Sequence, residues 1–162
     1  MSVSITAQII LDQTGYTTTD FTLINTEYMI DDALDTVNLM FTQSIAALSG
    51  STGSKTGSLT RDQNAVVKML LVLMLREGKK TSLSNSTSTG GSTSNQQSVG
   101  VGAISISESG SVSSAVSAAQ AINNPANSIY VSMFMDAGKK LEDKTSVTSN
   151  RRPPIVIAND LS

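Results

Sequence analysis

The stretch Ala65-Val-Val-Lys-Met-Leu-Leu-Val-Leu-Met-Leu75 decides the fold. Ten of its eleven residues are apolar, and Lys68 alone interrupts them. A helix built from such a run has no polar face, so most of its sides must be covered. Its start is marked by Thr60-Arg-Asp-Gln63, a hydroxyl at the N-cap with Gln three residues on. Its end is marked by Arg76-Glu-Gly-Lys-Lys80, where basic side chains suit the negative end of the helix dipole. The run is far short of the roughly 20 apolar residues that cross a bilayer, so no membrane partner is expected. So small a chain offers little to bury this rod. Neighbouring copies are therefore expected to cover it.

Upstream, the spacing turns helical over about 26–42. Met29, Ile30, Ala33, Leu34, Val37, Met40 and Phe41 fall on one stripe, with Glu27, Asp31, Asp32 and Asp35 mostly on the other face. Together the two helices predict a subunit interface made by Val66, Met69, Leu70, Leu73, Met74, Met29, Leu34 and Val37. Ile45 and Leu48 continue the apolar pattern briefly. Ser49 to Ser58 then holds three glycines and no apolar side chain, which reads as a flexible connector or an exposed hairpin tip. At the N-terminus, Val3, Ile5, Ala7 and Ile9 alternate with Ser4, Thr6 and Gln8. That pattern suits a short strand, or the opening of a helix that continues through Leu11. Gly15 and the hydroxyls around it read as turn.

Downstream, Thr81 to Ser107 contains no charged residue. Leu83 to Ser98 is low-complexity, and Val99-Gly-Val-Gly-Ala-Ile-Ser-Ile-Ser107 reads as an extended piece that orders along a partner. Ser111 to Ile122 is a small-residue helix ended by Asn123-Asn-Pro125. Asn127 or Ser128 caps the next helix, whose expected core positions are Ile129, Met133, Phe134, Ala137 and Leu141. The two prolines in Arg151-Arg-Pro-Pro-Ile-Val-Ile-Ala-Asn159 forbid helix. This piece reads as a docking arm that meets a partner through Arg151, Arg152, Ile155, Val156 and Ile157. The chain thus divides into a helical core (1–80), a Ser/Thr/Gly-rich extended segment (81–108), a helical C-terminal part (109–145) and an arm (146–162). The fold class is mainly α: a small helical bundle with a long extended Ser/Thr-rich segment and a C-terminal arm.

Composition narrows the chemistry. The 162 residues include 26 Ser and 18 Thr but no Cys and no His, with a net charge of −2. Disulfide frameworks, thiol catalysis and zinc fingers need Cys. Ser-His-Asp hydrolysis and His-ligated metal sites need His. The weakly acidic balance gives no reason to expect sequence-specific nucleic-acid binding. No basic start followed by an apolar run marks a signal segment, so a cytoplasm-like compartment is expected.

Glu27, Asp31 and Asp35 share a helix face, but without His or a calcium-loop spacing they read as a solvated face or as inter-subunit charge pairing. Gly50-Ser-Thr-Gly53 and Gly100-Val-Gly102 do not continue into phosphate-loop patterns. Ser51-Thr-Gly-Ser-Lys55 holds a Ser and a Lys in a loop that cannot fix a nucleophile against a base. Arg76, Lys79 and Lys80 read as helix capping. No catalytic, metal or cofactor residue is assigned, and an enzyme is not expected.

The piece Gly15-Tyr-Thr-Thr-Thr-Asp-Phe21, then Ile24 and the acidic helix Glu27-Tyr-Met-Ile-Asp-Asp-Ala-Leu-Asp-Thr-Val-Asn38, carries a resemblance. It is similar to the opening of head–tail connector (adaptor) proteins of tailed bacteriophages and archaeal tailed viruses. A loop and a longer apolar helix follow in that family, as Thr60 to Lys80 does here. The resemblance covers roughly residues 12–80, and the Ser/Thr-rich stretch from 81 to 122 departs from it. It implies a connector-like bundle that forms a ring of twelve copies in the virion neck, assembled in the host cytoplasm. The implied partners are the portal protein, along which the C-terminal segment reaches, and another neck or tail-completion protein. It implies no catalytic residue. The competing readings are a tail-tube or capsid-decorating virion protein, both mostly β, and a Ser/Thr-rich surface adhesive protein.

Overall fold

Strand β1 (Ser2–Thr6) pairs antiparallel with β2 (Thr56–Thr60), with Val3 opposite Leu59 and Ile5 opposite Gly57. We describe these and the remaining elements in a computed structural model, which describes residues 1–91 and 115–149. The period-2 reading and the helix reading of the N-terminus each hold for part of it. Thr6 ends the strand, and its Oγ1 accepts from the Ile9 amide at 3.2 Å, which starts α1 (Ala7–Thr14). Gly15 closes α1 in the left-handed region (φ 80°), and the Tyr16 amide reaches back to the Leu11 carbonyl.

Helix α2 (Leu23–Phe41) begins one turn earlier than its spacing suggests, because Thr22 Oγ1 accepts from the Asn25 amide. Met29, Ile30, Ala33, Leu34, Val37 and Phe41 are buried as the pattern requires, whereas Met40 is exposed. The following loop is not loose. The Asn38 side chain holds Ile45 by a reciprocal pair of 2.8 Å hydrogen bonds, and Ile45 and Leu48 are buried. Ser49 and Thr56 then exchange backbone hydrogen bonds at 2.9 Å, so residues 50–55 form the tip of a narrow hairpin.

Helix α3 (Arg61–Gly91) starts where the sequence marks it: Gln63 and Thr60 cap each other at 3.0 and 3.2 Å. It does not end at Lys80. Residues 81–91, expected to be extended, continue the helix. Once a helix is nucleated, each further residue adds a hydrogen bond without a new nucleation cost. Thr81 also donates its hydroxyl to the Glu77 carbonyl at 2.9 Å, a helix-compatible use of the side chain.

The C-terminal part is a short helix α4 (Ala118–Asn123), a 3-10 turn at Pro125–Asn127 and helix α5 (Ser128–Ser149). Ser117 and Gln120 form the cap of α4, and Asn124 with Pro125 ends it as read. Asn124 Oδ1 accepts from the Ala126 amide and caps that turn, while the Asn127 side chain, a candidate cap for α5, donates to the Ala121 carbonyl instead. Asn127 points inward. In α5 the buried stripe is Phe134, Gly138 and Leu141, with Ile129 and Met133 exposed. Ala137 is half-buried beside it. The expected stripe is therefore rotated. Its phase is set by Gly138, which lets the Phe41 ring lie against the α5 backbone while Phe41 and Phe134 meet edge-on at 5.4 Å.

These elements correct the argument that neighbours must cover the apolar rod. α3 runs through the middle of the fold, with α2, α4, α5 and both strands packed around it. Val66, Val67, Leu70, Leu71, Leu73, Met74 and Leu75 are all buried by the chain itself. The pieces missing from the coverage argument are the β1–β2 pair and the return of α5. The small mainly α-helical domain with a minor two-stranded sheet is what positions the surfaces described next.

Candidate interaction surface

Helix α5 returns antiparallel along α3. Lys144 meets Asp62 at 2.9 Å near one end, and the Arg76 guanidinium lies 4.5 Å from the Tyr130 ring centre near the other. Between these ties the helices leave a groove of about 400 Å³. Ala65, Lys68, Met69, Val72 and Leu73 line it from α3, and Tyr130 and Met133 from α5. The α3 positions follow the i, i+3/i+4, i+7 spacing, so one outer stripe of the rod forms the wall. Its polar groups sit on the rim: Lys68 and the Arg76–Tyr130 pair. Ile129, 73% exposed, extends the apolar surface along α5, and Met133 is 53% exposed. Clustered large apolar side chains of this kind mark an interaction site far more often than scattered ones do.

A second exposed surface lies on α2. Ile24, Tyr28, Asp35 and Leu39 follow one another at spacings of four, seven and four residues, which places them on one outward ridge. Tyr28 is 58% and Leu39 83% exposed.

The acidic residues of α2 do different work from that read in the sequence. Glu27 is buried, and its two carboxylate oxygens accept from the Gly53 amide at 2.8 Å and the Lys55 amide at 2.7 Å. Asp31 accepts from the Leu48 amide and pairs with the Lys55 ammonium at 3.6 Å. Asp32 accepts from the Ala118 amide at 2.6 Å. Three carboxylates thus clamp the hairpin and α4 to α2, and only Asp35 of the set is exposed. Gly53 (φ 92°) turns the loop so that its amide faces Glu27. Among the described residues no three acidic side chains gather as a metal-binding group.

A polar cluster joins α3 to the α4–α5 connection. Glu77 accepts from Asn124 Nδ2 at 2.8 Å to each carboxylate oxygen and from Asn127 Nδ2 at 3.3 Å. Asn127 is fully buried, donates also to the Ala121 carbonyl at 2.9 Å, and its Oδ1 has no partner among the described residues. Lys79 meets Asp20 at 2.6 Å, so this member of the basic cluster ties α3 to the α1–α2 loop. The Asp20 carboxyl is held below the usual carboxylate range, first by Lys79 and then by the Thr17 amide, against partial burial.

Of the eight residues read as subunit interface, Met69 and Leu73 line the groove. Val66, Leu70, Met74, Met29, Leu34 and Val37 lie in the chain's own core. Arg151, Arg152, Ile155, Val156 and Ile157 lie outside the described residues, as does the extended piece Val99–Ser107. Tyr28, Leu39, Ile129, Tyr130 and Met133 were not singled out as surface residues. The signal for Ile129 and Met133 is a second i, i+4 stripe in α5 beside the buried one. Comparison with protein-family models, curated proteins and solved structures finds no match to this chain.

Proposed function

We propose that this chain is a structural neck protein of a virion: a head–tail adaptor that forms a ring beneath the portal and docks the next neck or tail protein. Its work in this reading is steric, and no residue carries chemistry. The observation that supports it best is the apolar groove between α3 and α5, together with the exposed α2 ridge. A lone monomer gains nothing by leaving Ile129, Met133, Tyr28 and Leu39 in water, whereas a subunit packed between others buries them. The mainly helical fold favours an adaptor over the mostly β tail-tube and decoration readings. Repetition around a ring would make modest contacts per subunit strong in sum. Arg151 to Ile157 would supply the portal contact.

The test is capture. The purified chain is mixed with the purified portal ring of the virus that encodes it, and the complex is weighed and imaged. A ring of chain density beneath the portal is expected. Portal that passes through unloaded over a micromolar range of chain overturns the reading.

A further inference from the structure

We infer that the occupant of the α3–α5 groove is the α2 ridge of a second copy of this chain, in a head-to-tail contact. The inference rests on the ring reading above and names its interface. The two surfaces are comparable in length: Tyr28 to Leu39 on the ridge spans eleven residue steps, about 16 Å of helix, as does α3 from the groove-lining Ala65 to Arg76, which lies over Tyr130 beyond the last lining residue of α3, Leu73. They match in chemistry along that length. In antiparallel register Leu39 meets Ala65, Asp35 falls beside Lys68, and Tyr28 reaches Arg76.

Asp35 and Lys68 are the charges that decide the pairing, since neither makes a salt bridge among the described residues. Asp31, on the same helix face, is already paired with Lys55, so Asp35 carries the ridge's charge, and Lys68 is the one charged side chain among the groove-lining residues. Ridge and groove lie on different surfaces of one subunit, so the contact is heterologous. It propagates from copy to copy and closes into a ring where the rotation permits.

The experiment is charge reversal read by light scattering and native mass. Wild type is expected to assemble. Asp35→Lys and Lys68→Glu are each expected to weaken assembly at least about a hundredfold, since like charges then face each other. The double variant, and an equimolar mixture of the two single variants, are expected to assemble again because every junction regains opposite charges. Both positions are at least partly exposed, and circular dichroism verifies that each variant is folded. Single variants that assemble like wild type overturn this pairing while leaving a ring intact. A wild-type chain that stays monomeric yet is captured by a portal overturns the contact while the neck reading stands.

Discussion

The outer edge of the Phe41 ring occupies the space where a Cβ of residue 138 would stand, so Gly138 is what lets α2 and α5 close on each other. A methyl group built on Gly138 would overlap Cε1, Cζ and Cε2 of that ring. Phe41 is buried and lies edge-on to Phe134, so it has no room to retreat.

Gly138→Ala therefore overpacks the core and is expected to lower stability by about 1–3 kcal/mol, or more if the ring cannot turn. Phe41→Ala empties the same place and is expected to cost about 3–5 kcal/mol. Combining Gly138→Ala with Phe41→Leu should cost less than the two separate losses added together. Urea unfolding of the four proteins checks this, and strict additivity would contradict the packing described.

Glu27 is the pin of the hairpin. Glu27→Ala leaves the Gly53 and Lys55 amides without their acceptor, and is expected to cost about 2–3 kcal/mol. Hydrogen exchange at those two amides should speed up at least about tenfold, while exchange in the middle of α3 follows only the global loss. Unchanged exchange at Gly53 and Lys55 would refute the clamp.

The Asp20–Lys79 pair gives a signed pH dependence. The folded carboxyl is depressed, so the unfolded chain binds a proton more readily. The contribution is present above the unfolded value of about 3.9, and is lost as the pH falls through the lower folded value. Stability should thus drop below about pH 4 more steeply in wild type than in Asp20→Asn. In Lys79→Met the Asp20 carboxyl should titrate nearer its ordinary value, which carbon-detected NMR reads directly.

The chain has no cysteine, so paired cysteines report proximity without background. Leu39→Cys in one batch and Ala65→Cys in another should form a mixed disulfide dimer on oxidation, since the antiparallel register sets these positions opposite each other. A gel showing only monomer would count against that register.

Local chemistry was the legible part of the sequence. The Thr60–Gln63 cap, the buried stripe of α2 and the stop at Asn124-Pro125 depend on residues within one turn of each other, and a linear reading reaches them. The pieces that depend on distant partners were not legible. The α3 rod looks uncoverable until β1, β2 and α5 are seen to wrap it. The phase of α5 follows from Gly138 facing Phe41, almost a hundred residues earlier. Glu27, Asp31 and Asp32 look solvated because the amides that satisfy them lie at Gly53, Lys55, Leu48 and Ala118, and backbone donors leave no mark in a sequence. The end of α3 was missed for another reason: Ser and Thr are weak helix formers alone, but here they extend a helix already started. For the candidate surface, the sequence singled out Met69 and Leu73, which line the groove, but not its α5 side, because Ile129 and Met133 fit a core pattern equally well.

The native mass of the full chain across low to high micromolar concentration tests the ring most directly. The account predicts one closed species at an integer multiple of the 16.9 kDa chain, twelvefold for the ring that the connector resemblance implies. A spectrum holding 16.9 kDa alone across that range would contradict it.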